Sequence, residues 1–468
     1  MNNKRTFISL RVFMCGMLSV LLLFGGCSGG TGPQENRKAV GEDTGEKGVK
    51  LNFTYWGSQD EKHAIESACR KFTENHPGIV INPVQIPNSE YNVKMITMAA
   101  GNDSPDTGYM TGDLGEAWAN EGRFVNLFDM FEKDSEIKKE DFLDYIWYRL
   151  SPDNAWGIST AGECFGLYYN KDLLKAAGIG SMPTTADKAM EWDEFVVLAK
   201  RLTLDKSGRN ALEPGFDQEN IKQYGVMFET WEEPISNFIF SNGGQWLSED
   251  GKKFALNSPE SVEAIQKLAD LINVHRVAPS PFAAKSLPTM SVAIQAKLVA
   301  MAVGGQWINL DLGNAKVNYD IGVLPKLKKS VTVGLSGATV LFRSSKHSEE
   351  AWQLFKWMSN PDSALELYSS GLWMPTVKRW YTEPELVAKW VDANPGAHPA
   401  GFKDAMMNQL LAHGVPQPLY YMKNTARIVP VVVSGLDPVW MGKKTAAEAL
   451  KEIEEKVAPE IKGRYDVR

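Results

Sequence analysis

Five tryptophans stand at the ends of predicted strands or in loops: Trp56, Trp231, Trp246, Trp307 and Trp373. Trp307 directly follows Gly304-Gly305-Gln306, where an apolar strand hands over to a loop. In open α/β sheets that carboxyl edge is where ligands bind. A flat indole suits the apolar face of a pyranose ring, and carboxylates or amides suit the hydroxyls around its rim. Taken singly, about half of such tryptophans serve instead as core plugs. Trp192, Trp352 and Trp357 fall inside predicted helices and are assigned to packing.

Reactive chemistry is not written into the chain. The 6 histidines are scattered, with no H-E-x-x-H pattern, and no cysteine pair has zinc-site spacing. There is no G-x-S-x-G elbow, no P-loop and no dinucleotide fingerprint, so neither a metal nor a cofactor is implied. Glu232-Glu233 has the composition of a glycosidase carboxylate pair, but adjacent acids read better as a solvated turn.

A chain of 468 residues, 43% hydrophobic and 23% charged, has room for two or three domains with real cores. Its net charge of −7 argues against a nucleic-acid partner, whose phosphates need a concentrated positive surface. The 4 cysteines are too few for a disulfide framework.

Lys4, Arg5 and Arg11 precede an apolar run from Val12 to Phe24. That run is too short to span a bilayer and has the proportions of a secretory leader. Leu23-Phe24-Gly25-Gly26-Cys27 then resembles a bacterial lipobox, which predicts a leader over residues 1–26 and acylation of Cys27. Cleavage removes three positive side chains and no negative one, so the mature chain is more acidic still. Residues 27–49 are rich in Gly, Ser, Thr and charge and read as a flexible tether. About 20 such residues at no more than ~3.5 Å each reach ~70 Å from a membrane. Cys15 leaves with the leader, and nothing pairs Cys69 with Cys164; Cys69 falls in a helical pattern and reads as a buried free thiol.

Alternating β-branched and aromatic residues predict a first strand at Leu51–Trp56, and helical spacing of Ile65, Ala68, Cys69 and Phe72 predicts a helix over Asp60–Asn75. Ile79–Ile86 reads as a strand and Tyr91–Ala100 as a helix, an order that predicts a mostly parallel sheet covered by helices. A second α/β run begins near Gly166, with strands at Leu167–Tyr169, Tyr224–Phe228 and Leu298–Val303. Its helices are predicted over Lys171–Ala177, Trp192–Leu202 and Pro259–Asn273, and a last one over Thr445–Val457. No repeat at a fixed period is present.

Tyr55-Trp56-Gly57, His76-Pro77-Gly78-Ile79, Ala99-Ala100-Gly101-Asn102-Asp103-Ser104-Pro105-Asp106 and Gly166-Leu167-Tyr168-Tyr169-Asn170-Lys171-Asp172 occur in an order and spacing with a recognisable pattern. Trp192-Asp193-Glu194-Phe195, Asn242-Gly243-Gly244, Gly304-Gly305-Gln306-Trp307, Val323-Leu324-Pro325 and Gly442-Lys443-Lys444-Thr445-Ala446-Ala447-Glu448-Ala449-Leu450 continue it. From about Leu51 onward the chain resembles the extracellular solute-binding proteins of bacterial ABC importers, in the carbohydrate cluster that includes maltose-binding protein. The resemblance implies an α/β, type II periplasmic-binding-protein-like fold: two lobes, several crossover strands, and a ligand cleft between the lobes. Lobe 1 is expected over 50–161 and 338–373, and lobe 2 over 162–337 and 374–468. The implied protein is a monomer held to the extracellular face of the cell membrane by its N-terminal lipid, with a small carbohydrate and ABC permease subunits as partners and no catalysis.

The resemblance also carries site residues. Asp113 and Glu163 match hydroxyl-binding acids, Trp307 and Trp231 match aromatics of the second lobe, and Trp56 and Ser58 match lip residues. Gly337 lies near a later crossover where backbone amides can approach a ligand, Met110 replaces an aromatic of maltose-binding protein, and Tyr420 or Tyr421 supplies a late aromatic. The alternative is a surface glycoside hydrolase or lyase, for which Asp113 with Glu163 is the pair to test.

Overall fold

The computed structural model describes residues 48–466 as part of one compact unit. The leader, Cys27 and residues 27–47 of the tether lie outside the described residues. Val49, expected to close the tether, already belongs to the first strand.

Strands β1 (Val49–Tyr55), β2 (Ile79–Gln85), β3 (Thr107–Met110), β4 (Trp147–Ser151) and β5 (Asn154–Ser159) come first. They are followed by β6 (Phe165–Asn170), β7 (Leu204–Asp205), β8 (Ile221–Met227), β9 (Val299–Gly305) and β10 (Tyr319–Gly322). Last come β11 (Thr332–Gly334), β12 (Ala338–Leu341) and β13 (Gly414–Pro416). One sheet has the order β2-β1-β3-β12-β5-β4, a second β10-β6-β9-β8-β7, and β11 pairs with β13. This is the two-lobe α/β architecture, one sheet at the heart of each lobe.

The expectation of mostly parallel sheets is corrected. β1 is parallel to β2 and β3, but β12 enters between β3 and β5 antiparallel to both. β4 and β5 are joined by so few residues that only an antiparallel hairpin is possible. In the second sheet only β8 and β9 are parallel. β12 is antiparallel because its chain returns from the second sheet and so enters the first from the opposite end.

Central strands such as β6 and β9 are covered on both faces and read as near-continuous apolar runs. Every residue of β6 is buried. Phe165, Leu167 and Tyr169 face one hydrophobic cluster while Tyr168 faces the other, as the two-residue strand period requires. The helix Gln59–Asn75 packs Ile65, Ala68, Cys69 and Phe72 inward. Trp192–Leu202 and Pro259–Asn273 form over the ranges their periodicity predicts. Cys69 and Cys164 are both buried free thiols.

The connections between the sheets are tied to one another. Residues 160–164 join β5 to β6 and residues 335–337 join β11 to β12; Glu163 and Leu335 exchange backbone hydrogen bonds of 3.2 and 3.0 Å. Thr160 N–H donates to the Gly337 carbonyl at 3.0 Å, and Gly162 N–H donates to the Met374 carbonyl at 2.9 Å.

A long-range cap fastens the C-terminal region. The helix Thr425–Trp440 begins after Asn424, which has a left-handed φ of 65° and offers no side-chain cap. Buried Glu116, on the helix Gly112–Asn120, supplies the missing acceptor instead. Its carboxylate accepts from the backbone N–H of Asn424 at 2.6 Å and of Thr425 at 2.7 Å, and from the Tyr465 hydroxyl at 2.8 Å. Removing it strands buried donors at a helix N-terminus. Glu116→Ala is expected to lower the urea-unfolding free energy by about 2–3 kcal/mol. A loss below about 0.5 kcal/mol would mean that water replaces the carboxylate.

Candidate functional site

The junction between the sheets carries a small polar cavity. β1 ends at Tyr55, and Ser58 caps the following helix in a reciprocal box with Glu61: the Ser58 side chain accepts from Glu61 N–H, and the Glu61 carboxylate accepts from Ser58 N–H. The carboxylate closes tightly over the chain because Gly57 has φ 155° and no side chain; a Cβ there would lie 2.3 Å from Glu61 Oε2. Trp56 meets Tyr91 and Tyr109 edge-on, at centroid distances of 4.8 and 5.0 Å. The indole also lies over Gly337, where a Cβ would fall 2.3 Å from its ring. Trp56, Glu61, Tyr109, Thr160, Glu163, Ser336, Gly337 and Trp373 line a cavity of about 40 Å³.

Two carboxyl groups lining so small a cavity hold their protons more tightly than usual. Burial, followed by the neighbouring Glu61 charge, pushes the Glu163 carboxyl up to about 8, with the Ser336 hydroxyl pulling part of the way back. Burial pushes Glu61 up to about 7, against the hydrogen bond from Ser58, with Asp311 and Asp60 adding to the rise. The hydroxyl of Tyr109, another lining residue, has no hydrogen-bond partner among the described residues, although the residue is only 5% exposed.

A separate aromatic group forms where β6 begins and β9 ends. β6 and β9 are antiparallel with Phe165 opposite Gly305, so the start of one strand and the end of the other meet at the junction. Gln306 N–H donates to the Cys164 carbonyl at 3.0 Å, which sets Trp307 beside the Glu163 segment. The half-buried Trp307 and Trp231 rings are 6.4 Å apart and both contact Phe165. Trp231 donates to the Glu229 carboxylate at 2.8 Å and precedes the helix Glu232–Ser241. The first turn of that helix holds Glu232 and Glu233, both pushed upward mainly by burial, with the Asp113 charge contributing to each. Asp113 itself stands in the first turn of the helix Gly112–Asn120.

The structure thus gathers Trp56, Glu163 and Gly337 around one cavity, pairs Trp231 with Trp307, and places Asp113 within electrostatic reach of Glu232 and Glu233. Ser58 caps a helix at the margin and lines a separate depression with Asp60, Ser291 and Asp311. Several expectations change. Glu232-Glu233 is not a solvated turn, since Glu233 is only 3% exposed. Gly337 stays at the cavity wall, its carbonyl accepting from Thr160 and the Trp56 indole lying against its Cα. Trp246 is a core residue, 1% exposed and donating to Ser236. Tyr420 and Tyr421 are buried, the first bonded to Ser159 and the second under the Arg464 guanidinium. The charge acting on Glu163 is Glu61, while Asp113 acts on Glu232 and Glu233. Glu61 and Tyr109 were not anticipated, although Ser58-Gln59-Asp60-Glu61 is a legible capping box that fixes where the Glu61 carboxylate must turn. Among the described residues no cluster of His, Cys, Asp or Glu is placed to hold a metal.

Two sheet-centred lobes, tied by short paired connections that carry a small polar cavity, define the type II periplasmic-binding fold. Residues 56–365 match the bacterial extracellular solute-binding protein family, and the chain belongs to it. The ABC transporter periplasmic-binding protein YcjN of Escherichia coli (strain K12) is 23% identical over 232 residues, covering 48% of this chain and 49% of YcjN. The sn-glycerol-3-phosphate-binding periplasmic protein UgpB of Pectobacterium atrosepticum is 26% identical, covering 85% of this chain and 88% of UgpB. Among solved structures, the ABC substrate-binding protein Lmo0181 from Listeria monocytogenes, in complex with cycloalternan, superposes with a TM-score of 0.76. The two are 21% identical, and the match covers 88% of this chain and 99% of Lmo0181.

A proton-linked stability effect follows from Glu163. A carboxyl whose folded value lies above its unfolded one favours the folded state most at low pH, and that advantage is lost as pH rises through about 8. Glu163→Gln cannot ionise. The variant is expected to gain thermal stability over the parent chain between pH 5 and pH 9, by on the order of 1–3 kcal/mol. An unchanged melting-temperature difference at the two pH values would show that Glu163 titrates normally.

Proposed function

We propose that this chain captures a sugar or oligosaccharide in the cleft between its lobes and delivers it to the permease of an ABC importer. It does so while anchored through lipid on Cys27 at the extracellular face of the membrane. Lobe 1 is assigned to 50–161 and 338–373 and lobe 2 to 162–337 and 374–468, a division with which the strands of the two large sheets agree. The observation that carries the proposal is the company of half-buried indoles and carboxyl groups at the junction: Trp56, Trp231 and Trp307 with Glu61, Glu163 and Asp113.

Sugar hydroxyls are well solvated in water, so each one buried without a partner costs about 1–3 kcal/mol. Carboxyl groups answer this as strong acceptors, and when protonated as donors too. The indoles add apolar burial over the ring faces and ask for no proton. Closure is favoured because a ligand touching both lobes binds the closed state better than the open one. UgpB is named for a phosphate-bearing ligand, yet no Lys or Arg lines the cavity here, which supports a polyol without phosphate.

Screening a panel of mono- and oligosaccharides by thermal shift tests the proposal. A true ligand at 100 times its dissociation constant should add about 2.7 kcal/mol of stability, and a panel with no stabilising sugar would refute it. Trp307→Ala is expected to weaken the selected sugar by more than about 1 kcal/mol with little change in unfolding. Unchanged affinity by calorimetry would remove Trp307 from the site. Cys27→Ser is expected to move the protein from the membrane to the soluble fraction, and retention in the membrane would refute the lipid anchor.

A further inference from the structure

We infer that the junction cavity receives a protonated amine, so that the captured sugar is an aminated one; this rests on the sugar-binding reading above. Among the described residues, the two acids that line the cavity, Glu61 and Glu163, share it with no Lys, Arg or His. The remaining polar lining consists of hydroxyls and backbone, with the Trp56 and Trp373 indoles among the walls. A neutral hydroxyl needs one acceptor and one donor, which a single carboxyl and a serine would supply. Two carboxylates facing indoles match an ammonium group, which offers three donors and a full positive charge and is attracted by aromatic faces.

A second, independent observation points the same way. Tyr109 is one of the residues lining the cavity, and its buried hydroxyl has no partner among the described residues. A buried hydroxyl left unpaired is costly, so one expects an occupant within its reach. An aminated ring can satisfy it through a neighbouring sugar hydroxyl while the nitrogen lies between the acids. Further along, the Glu233 carboxylate has an unpartnered Oε2, is 3% exposed, and stands with Glu232 and Asp113, none of them offset by a cation. Both cavity acids hold protons near neutral pH. A cation seated between them favours their ionised forms and drives those protons into solvent.

Isothermal titration of the full chain at pH 7 tests this with glucosamine, galactosamine and β-1,4-linked glucosamine oligomers of two to four rings. Each is set against its N-acetylated and its neutral hydroxyl counterpart. The amines should bind at least tenfold more tightly than either counterpart. Their binding enthalpies should vary with the ionisation enthalpy of the buffer in the sense of proton release. Glu163→Gln and Glu61→Gln should each reduce the preference below about threefold while the protein remains folded. Neutral or N-acetylated sugars binding as tightly as the amines would overturn the amine and leave sugar capture standing. Failure of every saccharide to bind would overturn both. An amine preference that survives in both variants would show that the cation sits elsewhere.

Discussion

Peptide groups in the narrow passage between the sheets have little access to water, and each must find a partner there. The chain meets this constraint by bonding its two connections to each other. Glu163 and Leu335 exchange hydrogen bonds, Thr160 reaches Gly337, and residue 162 is held by a third stretch through Met374. This pairing fixes more than the backbone. It leaves Glu163 no freedom to turn its segment toward bulk solvent, lays Gly337 beneath the Trp56 indole, and sets Ser336 beside both. The antiparallel match of Phe165 with Gly305 then brings the end of β9, and Trp307, to the same place. The site is thus largely a by-product of satisfying main-chain donors where two sheets come close.

The electrostatics follow from that geometry. Each acid at the junction is pushed upward by desolvation first and by another acid second, and Glu61, Glu163, Glu232 and Glu233 all show this order apart from opposing hydrogen bonds. Elsewhere the chain pairs its acids with bases in the ordinary way, as in Asp134 with Lys356, where hydrogen bonds from Trp352 and Lys356 outweigh burial and hold the carboxyl at about 2. Clustering unpaired acids costs stability. Interior packing alone gives no reason to gather like charges, and Asp311, raised by burial with Asp60 adding, shows the same habit in the neighbouring depression.

Helices with a clear apolar stripe were legible from residue types, as Trp192–Leu202 and Pro259–Asn273 demonstrate. Strand direction was not, because β12 finds its neighbours more than 170 residues away and no local pattern encodes that choice. Trp246 and Trp307 make the limit concrete. Both close the tetrapeptide Gly-Gly-Gln-Trp. Residues 243–246 bury their indole against Ser236, whereas residues 304–307 end a strand at the junction and leave theirs half-buried beside Trp231. Identical neighbours in sequence acquire different roles because one segment follows a helix into the core and the other follows a strand to the sheet edge. Glu61 lay in plain sight as part of a capping box, but its second role depends on Glu163, about a hundred residues on.

The central position of β12 has a consequence for how the molecule is made. Thr107 bonds through its side chain to the Val340 carbonyl at 2.7 Å, across 233 positions of sequence. Until residues 338–341 have left the ribosome, β3 and β5 have no strand between them and the first lobe is two open edges. Folding of the earliest third of the protein must therefore wait for the last third to be synthesised. A nascent chain that cannot close its first lobe alone keeps those strand edges open until β12 arrives.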